Sequence, residues 1–167
     1  MSHTDAPAAS SQDTTHGHIE WRWQRFDELD IHSLYTLCAA RVAIFVVEQE
    51  CAYQELDHQD QQAYHLSAWN EQQQLLAYSR ILGPGPRYAT PSIGRVITTQ
   101  KARGMGLGRQ LMQRSVAHCD ALFPGSDIRL SAQHHLEHFY QSFGFNSCSE
   151  MYLEDGIPHI DMQRPAP

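Results

Sequence analysis

The chain has 167 residues, of which 41% are hydrophobic, so one packed domain is the simplest expectation. Its formal net charge is −7 and it carries no run of lysine and arginine, which argues against nucleic acid as a primary partner. Neither a secretory signal nor an apolar stretch of roughly 18 residues is found, so we expect no membrane association. Residues 1–18 are rich in small and polar side chains and predict a disordered leader, followed by a single domain over residues 19–167. The cysteines are scattered without a C-x-x-C pair and are typical of reduced thiols in a cytoplasmic protein (Cys38, Cys51, Cys119 and Cys148).

The first half of the domain is predicted to hold one helix followed by a pair of strands. Alternating apolar residues over 19–23 predict a half-buried strand. The apolar pattern of residues 33–47 predicts a helix, with Asp30 as its N-cap. A polar, loop-like stretch follows, and residues 64–69 and 75–82 then predict two strands that pair around a turn.

The second half is predicted to add a strand, a long amphipathic helix, a buried strand, a short helix and a final hairpin. These elements lie at residues 93–99, 107–122, 128–131, 135–143, and 148–153 paired with 157–162. The hairpin turns at Asp155-Gly156, a favoured dipeptide for tight turns. The order β-α-β-β-β-α-β-α-β-β indicates a layered α/β protein.

A glycine-rich segment, Arg103-Gly104-Met105-Gly106-Leu107-Gly108, joins the strand at residues 93–99 to the long helix. The first amides of a helix have no partner inside it, and glycines let a phosphate come close to them. The spacing matches neither G-x-G-x-x-G nor G-x-x-x-x-G-K-[ST], so neither a dinucleotide fingerprint nor a P-loop is indicated. We expect a site for a phosphate-bearing ligand at this turn.

Two motifs in this part of the chain resemble a known superfamily. The segment R-x-x-G-x-G at residues 103–108 is similar to the Q/R-x-x-G-x-G/A pyrophosphate loop of the GNAT N-acetyltransferases, and FYQSFGF at 139–145 resembles their F-Y-x-x-x-G-F signature. A narrower similarity, to the ElaA-like subgroup, covers about residues 19–165 and is carried by segments 41–49, 52–57, 77–82, 93–97 and 154–160. The resemblance implies a GNAT fold, with a mixed, mostly antiparallel sheet of about six or seven strands and about four helices.

The resemblance also implies transfer of an acetyl group from acetyl-CoA to a primary amine, without a metal. The turn at residues 103–108 would hold the pyrophosphate, and the backbone of the preceding strand would pair with the pantetheine arm. Tyr140 matches the tyrosine that protonates the departing thiolate, a task for which a phenol with a pKa near about 10 is suited. The implied cofactor contacts are Val96, Ile97, Thr98, Arg103, Gly104, Met105, Gly106, Leu107, Gly108 and Gln133.

The general base and the acceptor side are less marked in the sequence. An alkylammonium group must lose a proton before it attacks, and acids on or just after the first helix could accept it: Glu48, Glu50, Glu55 and Asp57. Glu48 is preferred because it follows two valines and is expected to be partly buried, although a chain of waters is equally compatible. We expect a small-molecule or peptide amine as the substrate. Homodimers are frequent in the superfamily, but the sequence leaves the oligomeric state open. The residues expected to line the acceptor side are Arg41, Glu55, Asp57 and His65.

Two other functions stay open on the sequence. Residues 134–138 contain H-x-x-E-H, in which His134 and His138 could share a zinc ion and Glu137 could act as the base of a hydrolase. No third ligand is indicated, and the segment lies just ahead of the second GNAT motif. A non-catalytic acyl-CoA-binding module is the other alternative, because a fold does not determine a function.

Overall fold

The computed structural model describes residues 17–167, so the leader expected at residues 1–18 lies almost entirely outside it. Within that range the chain forms eight strands and three α-helices, with short 3₁₀ turns at Phe26–Glu28, Asp60–Gln62, Gln100–Ala102 and His134–Leu136. In chain order the elements are β1 (Glu20–Arg25), α1 (Ile31–Val42), β2 (Tyr64–Trp69), β3 (Leu75–Leu82), β4 (Ser92–Thr98), α2 (Leu107–Leu122), β5 (Ile128–Gln133), α3 (Glu137–Gln141), β6 (Asn146–Ser147), β7 (Tyr152–Glu154) and β8 (Ile157–Arg164).

Helix α1 begins at the cap that the sequence predicts and ends in a wider turn. The Asp30 carboxylate accepts hydrogen bonds from the backbone amides of His32 and Ser33, both at 2.9 Å. A π-helical segment, Ala43–Glu48, then continues the helix. Such segments are often found at functional sites, and this one carries Glu48 to the edge of the cavity described below.

Together, α1 and the π-helical segment form an apolar helix of 18 residues, Ile31–Glu48, with a mean hydropathy of 1.4. By length and composition this helix could cross a membrane, which corrects the expectation that no segment is long enough. Core helices can meet the same two criteria. This helix also carries the buried Arg41, which is ion-paired to two acids of the following loop. It is therefore weak evidence for a membrane span.

One sheet runs through the described chain in the order β1-β2-β3-β4-β5-β8-β6, and β7 pairs with β8 beside β6. All neighbouring strands are antiparallel except β4 and β5, which are parallel. The amphipathic helix α2 packs its buried residues, among them Leu107, Leu111 and Met112, into the main core. A smaller cluster joins Leu37 of α1 to Tyr78 of β3. The sheet thus lies between α1 and α2.

The predicted fold class is confirmed, with differences in the number of elements. The structure has eight strands because β6 and β7, of two and three residues, add to the edge of β8. It has three α-helices rather than about four, and α3 has only five residues because its first turn, His134–Leu136, is 3₁₀. Helix α2 spans residues 107–122 as the amphipathic pattern predicts.

Candidate active site

The parallel strands β4 and β5 diverge soon after they begin. Among the described residues they share one ladder position, Ser92 opposite Arg129. The register of β3 against β4 shifts between Tyr78 and Arg80, and Arg95 of β4 has a positive φ of 51°. A bulge of this kind bends a strand and re-aims its side chains. The backbone of β4 beyond Ser92 is therefore left without a partner strand on the β5 side.

A cavity of about 490 Å³ lies where the two strands separate. Its walls come from β4, from the end of β5, from the π-helical segment, and from the final hairpin of β7 and β8. Val96, Ile97 and Thr98 all line it, as the resemblance implies for residues that meet the pantetheine arm. An extended ligand could pair with the free backbone groups of β4 in the way that a peptide adds to an exposed strand.

The glycine-rich turn forms a second cavity, of about 360 Å³, at the beginning of α2. Gly104 and Gly106 have φ values of 81° and 73°, in the left-handed region that favours glycine. Gly106 is the N-cap residue and has no side chain to bond the first amides of the helix. A Cβ on Gly106 would meet no atom within 4 Å, so the space before these amides is open. These features suit the binding of an anion.

Gly108 differs from the other two glycines, because a Cβ there would be in ordinary contact with Thr98, at 3.7 Å, and Phe139, at 3.8 Å. Its small size thus serves the packing of α2 against β4 and α3 as well as any approach of a ligand. Met105 packs against the main core, and Leu107 is buried in it, so both contribute to the turn through their backbone.

Arg103 is ion-paired to Glu48, which the chain brings across from the end of the first helix. The Arg103 Nη2 atom lies 2.6 Å from Glu48 Oε1 and 2.9 Å from Oε2. The two side chains are 43% and 47% exposed. The expected partial burial of Glu48 is therefore wrong, and with it the reason for preferring Glu48 as the base. Its assignment as a base stays a prediction.

Tyr140 lines the 490 Å³ cavity from α3, and Gln133 lines it from the end of β5. Tyr140 is only 7% exposed. Burial raises the pKa of Tyr140 to about 12, so the phenol stays protonated at neutral pH. The Gln133 amide donates to the side chain of Gln49 at 3.0 Å, which links β5 to the residue after the π-helical segment.

A buried network of arginines and acids stands behind one wall of the cavity. Arg41 donates to Glu55 Oε1 at 2.6 Å and to Asp60 Oδ1 at 2.8 Å. Arg80 donates to both oxygens of Asp57, at 2.7 Å each, and to Asp60 at 2.9 Å. Arg95 also donates to Glu55 and Asp57. The network thus contains three arginines and three acidic residues. The burial of these charges is tolerable because each is paired and hydrogen-bonded.

Burial alone would raise the pKa of Asp57, but hydrogen bonds and charge from Arg80 outweigh it and hold that pKa well below its usual range. Asp60 shows the same balance, with Arg41 as the main opposing partner, and its pKa is lowered. Burial lowers the pKa of His65, whose ring nitrogens contact the Tyr78 hydroxyl and the Asp60 carbonyl. His65 is therefore neutral and structural at neutral pH.

These contacts change the interpretation of the four residues expected on the acceptor side. Arg41, Glu55, Asp57 and His65 are close together, but none of them lines the cavity. They hold in place Arg80 and Arg95, whose side chains do reach it. The geometry gives the four residues a positioning role in place of contact with an acceptor.

Sequence reasoning missed several residues that line the cavity. Tyr53, Arg80 and Arg95 belong to segments that carry the resemblance, but only the folded network shows that they face the cavity. The other group comes from the final hairpin, where the turn between β7 and β8 brings Glu154 and His159 to the same cavity. The predicted hairpin could have indicated His159. It lies two residues after Ile157 on the same strand, and alternate residues of a strand lie on the same face of the sheet.

The residues of the H-x-x-E-H motif do not form a metal site in the structure. Within residues 17–167, no group of three His, Cys, Asp or Glu side chains could hold a metal ion. His134 Nε2 lies 4.0 Å from Glu137, and His138 Nδ1 contacts the side chain of Gln141 at 2.8 Å. Since no third ligand stands near this pair, the structure offers no support for a zinc hydrolase.

Comparisons with known proteins agree with this architecture. The family described as "Acetyltransferase (GNAT) domain" matches residues 33–165. Protein ElaA of Escherichia coli is 43% identical over 148 residues, which are 87% of this chain and 96% of ElaA. A UPF0039 protein of Synechocystis is 41% identical over 144 residues, 86% of this chain and 94% of that protein.

A crystal structure of an acyl-CoA N-acyltransferase from Pseudomonas aeruginosa superposes with a TM-score of 0.84 at 43% identity. It covers 88% of this chain and 99% of that one. The family match, the ElaA similarity and the shared fold extend over almost all of the described residues. The chain therefore belongs to the GNAT acyltransferase family and resembles its ElaA-like members.

Proposed function

We propose that the protein transfers an acetyl group from acetyl-CoA to a primary amine by direct attack of the amine on the thioester. One observation carries this proposal. The cavity at the splayed strands and the cavity at the glycine turn share Thr98 and Arg103 in their linings. A single ligand can therefore run from the beginning of α2 along β4 to Tyr140, which is the path that a nucleotide-linked thioester requires.

Binding of the donor follows from the chemistry of this path. The diphosphate would lie against the first amides of α2, with Gly104 and Gly106 allowing its approach and Arg103 adding a cation. The amide groups of the pantetheine arm would pair with the backbone of Val96 and Thr98, which β5 leaves free. Gln133, which lines the same cavity, would contact the arm from the opposite strand.

During acetyl transfer the leaving thiolate has to gain a proton and the attacking amine has to lose one. As the amine nitrogen bonds to the carbonyl carbon, the carbon–sulfur bond breaks and the thiolate leaves. Tyr140 then donates its phenolic proton to the sulfur, and the nitrogen gives up a proton that restores the phenol. The position of Tyr140 supports this role, because it lines the cavity and a phenol is protonated at neutral pH and so has a proton to donate.

The experiment is release of free thiol from acetyl-CoA in the presence of a panel of primary amines, with CoA affinity measured separately by calorimetry. The panel includes polyamines, amino acids, aminoglycosides and peptides with free amino termini. Turnover with at least one amine supports the proposal. Tight CoA binding without turnover on any of them would instead favour a non-catalytic binding module, and no CoA binding would remove both.

A further inference from the structure

The final hairpin carries a histidine whose surroundings suit a proton acceptor. His159 lies on β8, paired in register with Gln133 of β5 on one side and with Tyr152 of β7 on the other. Its side chain is mostly buried but lines the same cavity as Tyr140. The ring stacks on Tyr152, with centroids 6.1 Å apart and planes 25° from parallel, which restricts its rotation.

The hydrogen bond of one ring nitrogen determines which tautomer is present. His159 Nδ1 lies 2.8 Å from the carbonyl oxygen of Ile157. A carbonyl oxygen can only accept, so Nδ1 must carry the proton and donate it. In the neutral ring the lone pair is then on Nε2, where it can take up a proton.

An acid stands beside this nitrogen and is itself held in place. Glu154 Oε2 lies 3.6 Å from His159 Nε2, and Arg87 donates to Glu154 Oε1 at 3.4 Å. The Ser131 hydroxyl lies 3.5 Å from the Glu154 Oε2 atom. At this distance the carboxylate can pair with the imidazolium that a proton transfer creates.

We infer that His159 is the general base that deprotonates the acceptor amine, and that Glu154 orients it and stabilises its protonated form. This inference rests on the proposed function. The ammonium gives one proton to His159 Nε2, which later passes it to solvent, and the neutral amine then attacks the thioester. The nitrogen's second proton is the one that restores Tyr140, so the reaction releases one proton overall.

The alternative base, Glu48, is placed less well for this step. Its carboxylate is half exposed and bound to Arg103, at the end of the cavity next to the pyrophosphate turn. Glu154 and Asp155 both line the cavity on the hairpin side, where their negative charge would also attract a cationic acceptor. The other charged groups around His159 are Arg87 and Asp161, and Asp161 accepts from the Tyr152 hydroxyl at 2.7 Å.

The test uses His159→Asn, because an asparagine amide can still donate to the Ile157 carbonyl but has no counterpart of Nε2. With the best amine of the panel, we expect kcat to fall by about 100-fold or more, the range for loss of a positioned base. CoA affinity should stay within the error of calorimetry, and added imidazole should restore part of the rate. His138→Asn is the matched control, since His138 is exposed on α3 and lines neither cavity.

The pH dependence separates a base from a structural histidine. In the wild-type protein, kcat/KM should rise with pH as the general base loses its proton, and His159→Asn should abolish that rise. Glu154→Gln should lower kcat and leave CoA affinity unchanged, because the neutral amide cannot pair with the imidazolium that the proton transfer creates. A rise that disappears in Glu48→Gln but persists in His159→Asn would overturn the inference and leave the proposed acetyl transfer intact.

A second measurement does not depend on the acceptor. In protein labelled with ¹⁵N-histidine, the NMR signals of neutral His159 should be those of the Nδ1–H tautomer. A neutral Nε2–H tautomer would overturn the inference whatever the activity. Absence of turnover with every amine in the wild-type protein would remove the proposed function and this inference together, which distinguishes that result from a failure of His159 alone.

Discussion

Replacement of Glu55 by Gln should destabilise the protein strongly, because Glu55 compensates two buried guanidinium groups. The Glu55 side chain is 1% exposed and accepts hydrogen bonds from Arg41 at 2.6 Å, Arg95 at 2.9 Å and the Tyr53 hydroxyl. Gln has the same shape but no charge, so the network of three cations would retain two acids, Asp57 and Asp60. Breaking a buried pair in this way costs about 3–5 kcal/mol.

Urea denaturation of the two proteins measures this difference, and a thermal melt provides a check. For a chain of this length, each kcal/mol changes Tm by about 2–4 °C, so the variant should melt on the order of 6–20 °C lower. Glu48→Gln is the matched control, because it makes the same chemical change in an ion pair that is nearly half exposed. Exposed pairs contribute about 0–1 kcal/mol. Equal losses of stability in the two variants would refute the argument that burial sets the cost.

Three further predictions concern the turn, the acid and the network. Gly106→Glu should abolish measurable CoA binding by calorimetry, since it puts a carboxylate where the diphosphate would lie. Gly125→Glu, which shares the positive φ at 75° and open surroundings, should strain the backbone similarly and leave CoA binding unchanged. Tyr140→Phe should keep CoA affinity but lower kcat by about 100-fold or more, and full activity would mean that the thiolate gains its proton elsewhere. Folding lowers the pKa values of Asp57 and Asp60. The free energy that these two carboxylates contribute to folding is therefore complete above their unfolded-state pKa of about 3.9, and it is lost as the pH falls toward their folded-state pKa values. Urea midpoints should therefore decrease between about pH 5 and pH 2, and constant midpoints over that interval would contradict this.

Features that depend on neighbouring residues were predictable from the sequence. The bounds of α2 follow from its amphipathic pattern, and the first cap follows from Asp30, which bonds amides only two and three residues away. The glycine turn was also predictable, because the left-handed φ values of Gly104 and Gly106 need only glycines in one short segment. Each of these features is decided by the local backbone.

Features that depend on distant residues were not predictable in this way. The separation of β4 from β5 requires a bulge near Arg95, a residue type that gives no sign of a positive φ. The ion pair of Glu48 with Arg103 joins positions 55 apart in the chain. The position inferred for His159 depends on the pairing of β8 with β5, which sets it opposite Gln133 at the cavity. Long-range pairing decided all three.

In the proposed mode of donor binding, the contact between Arg103 and Glu48 makes binding an exchange of anions. The Glu48 carboxylate already forms an ion pair with the guanidinium of Arg103. For a diphosphate to reach that guanidinium, Glu48 has to leave it, so the protein's own side chain competes with the incoming nucleotide. Removing the Glu48 carboxylate should therefore raise the affinity for CoA, although Glu48 itself lies at the edge of the cavity.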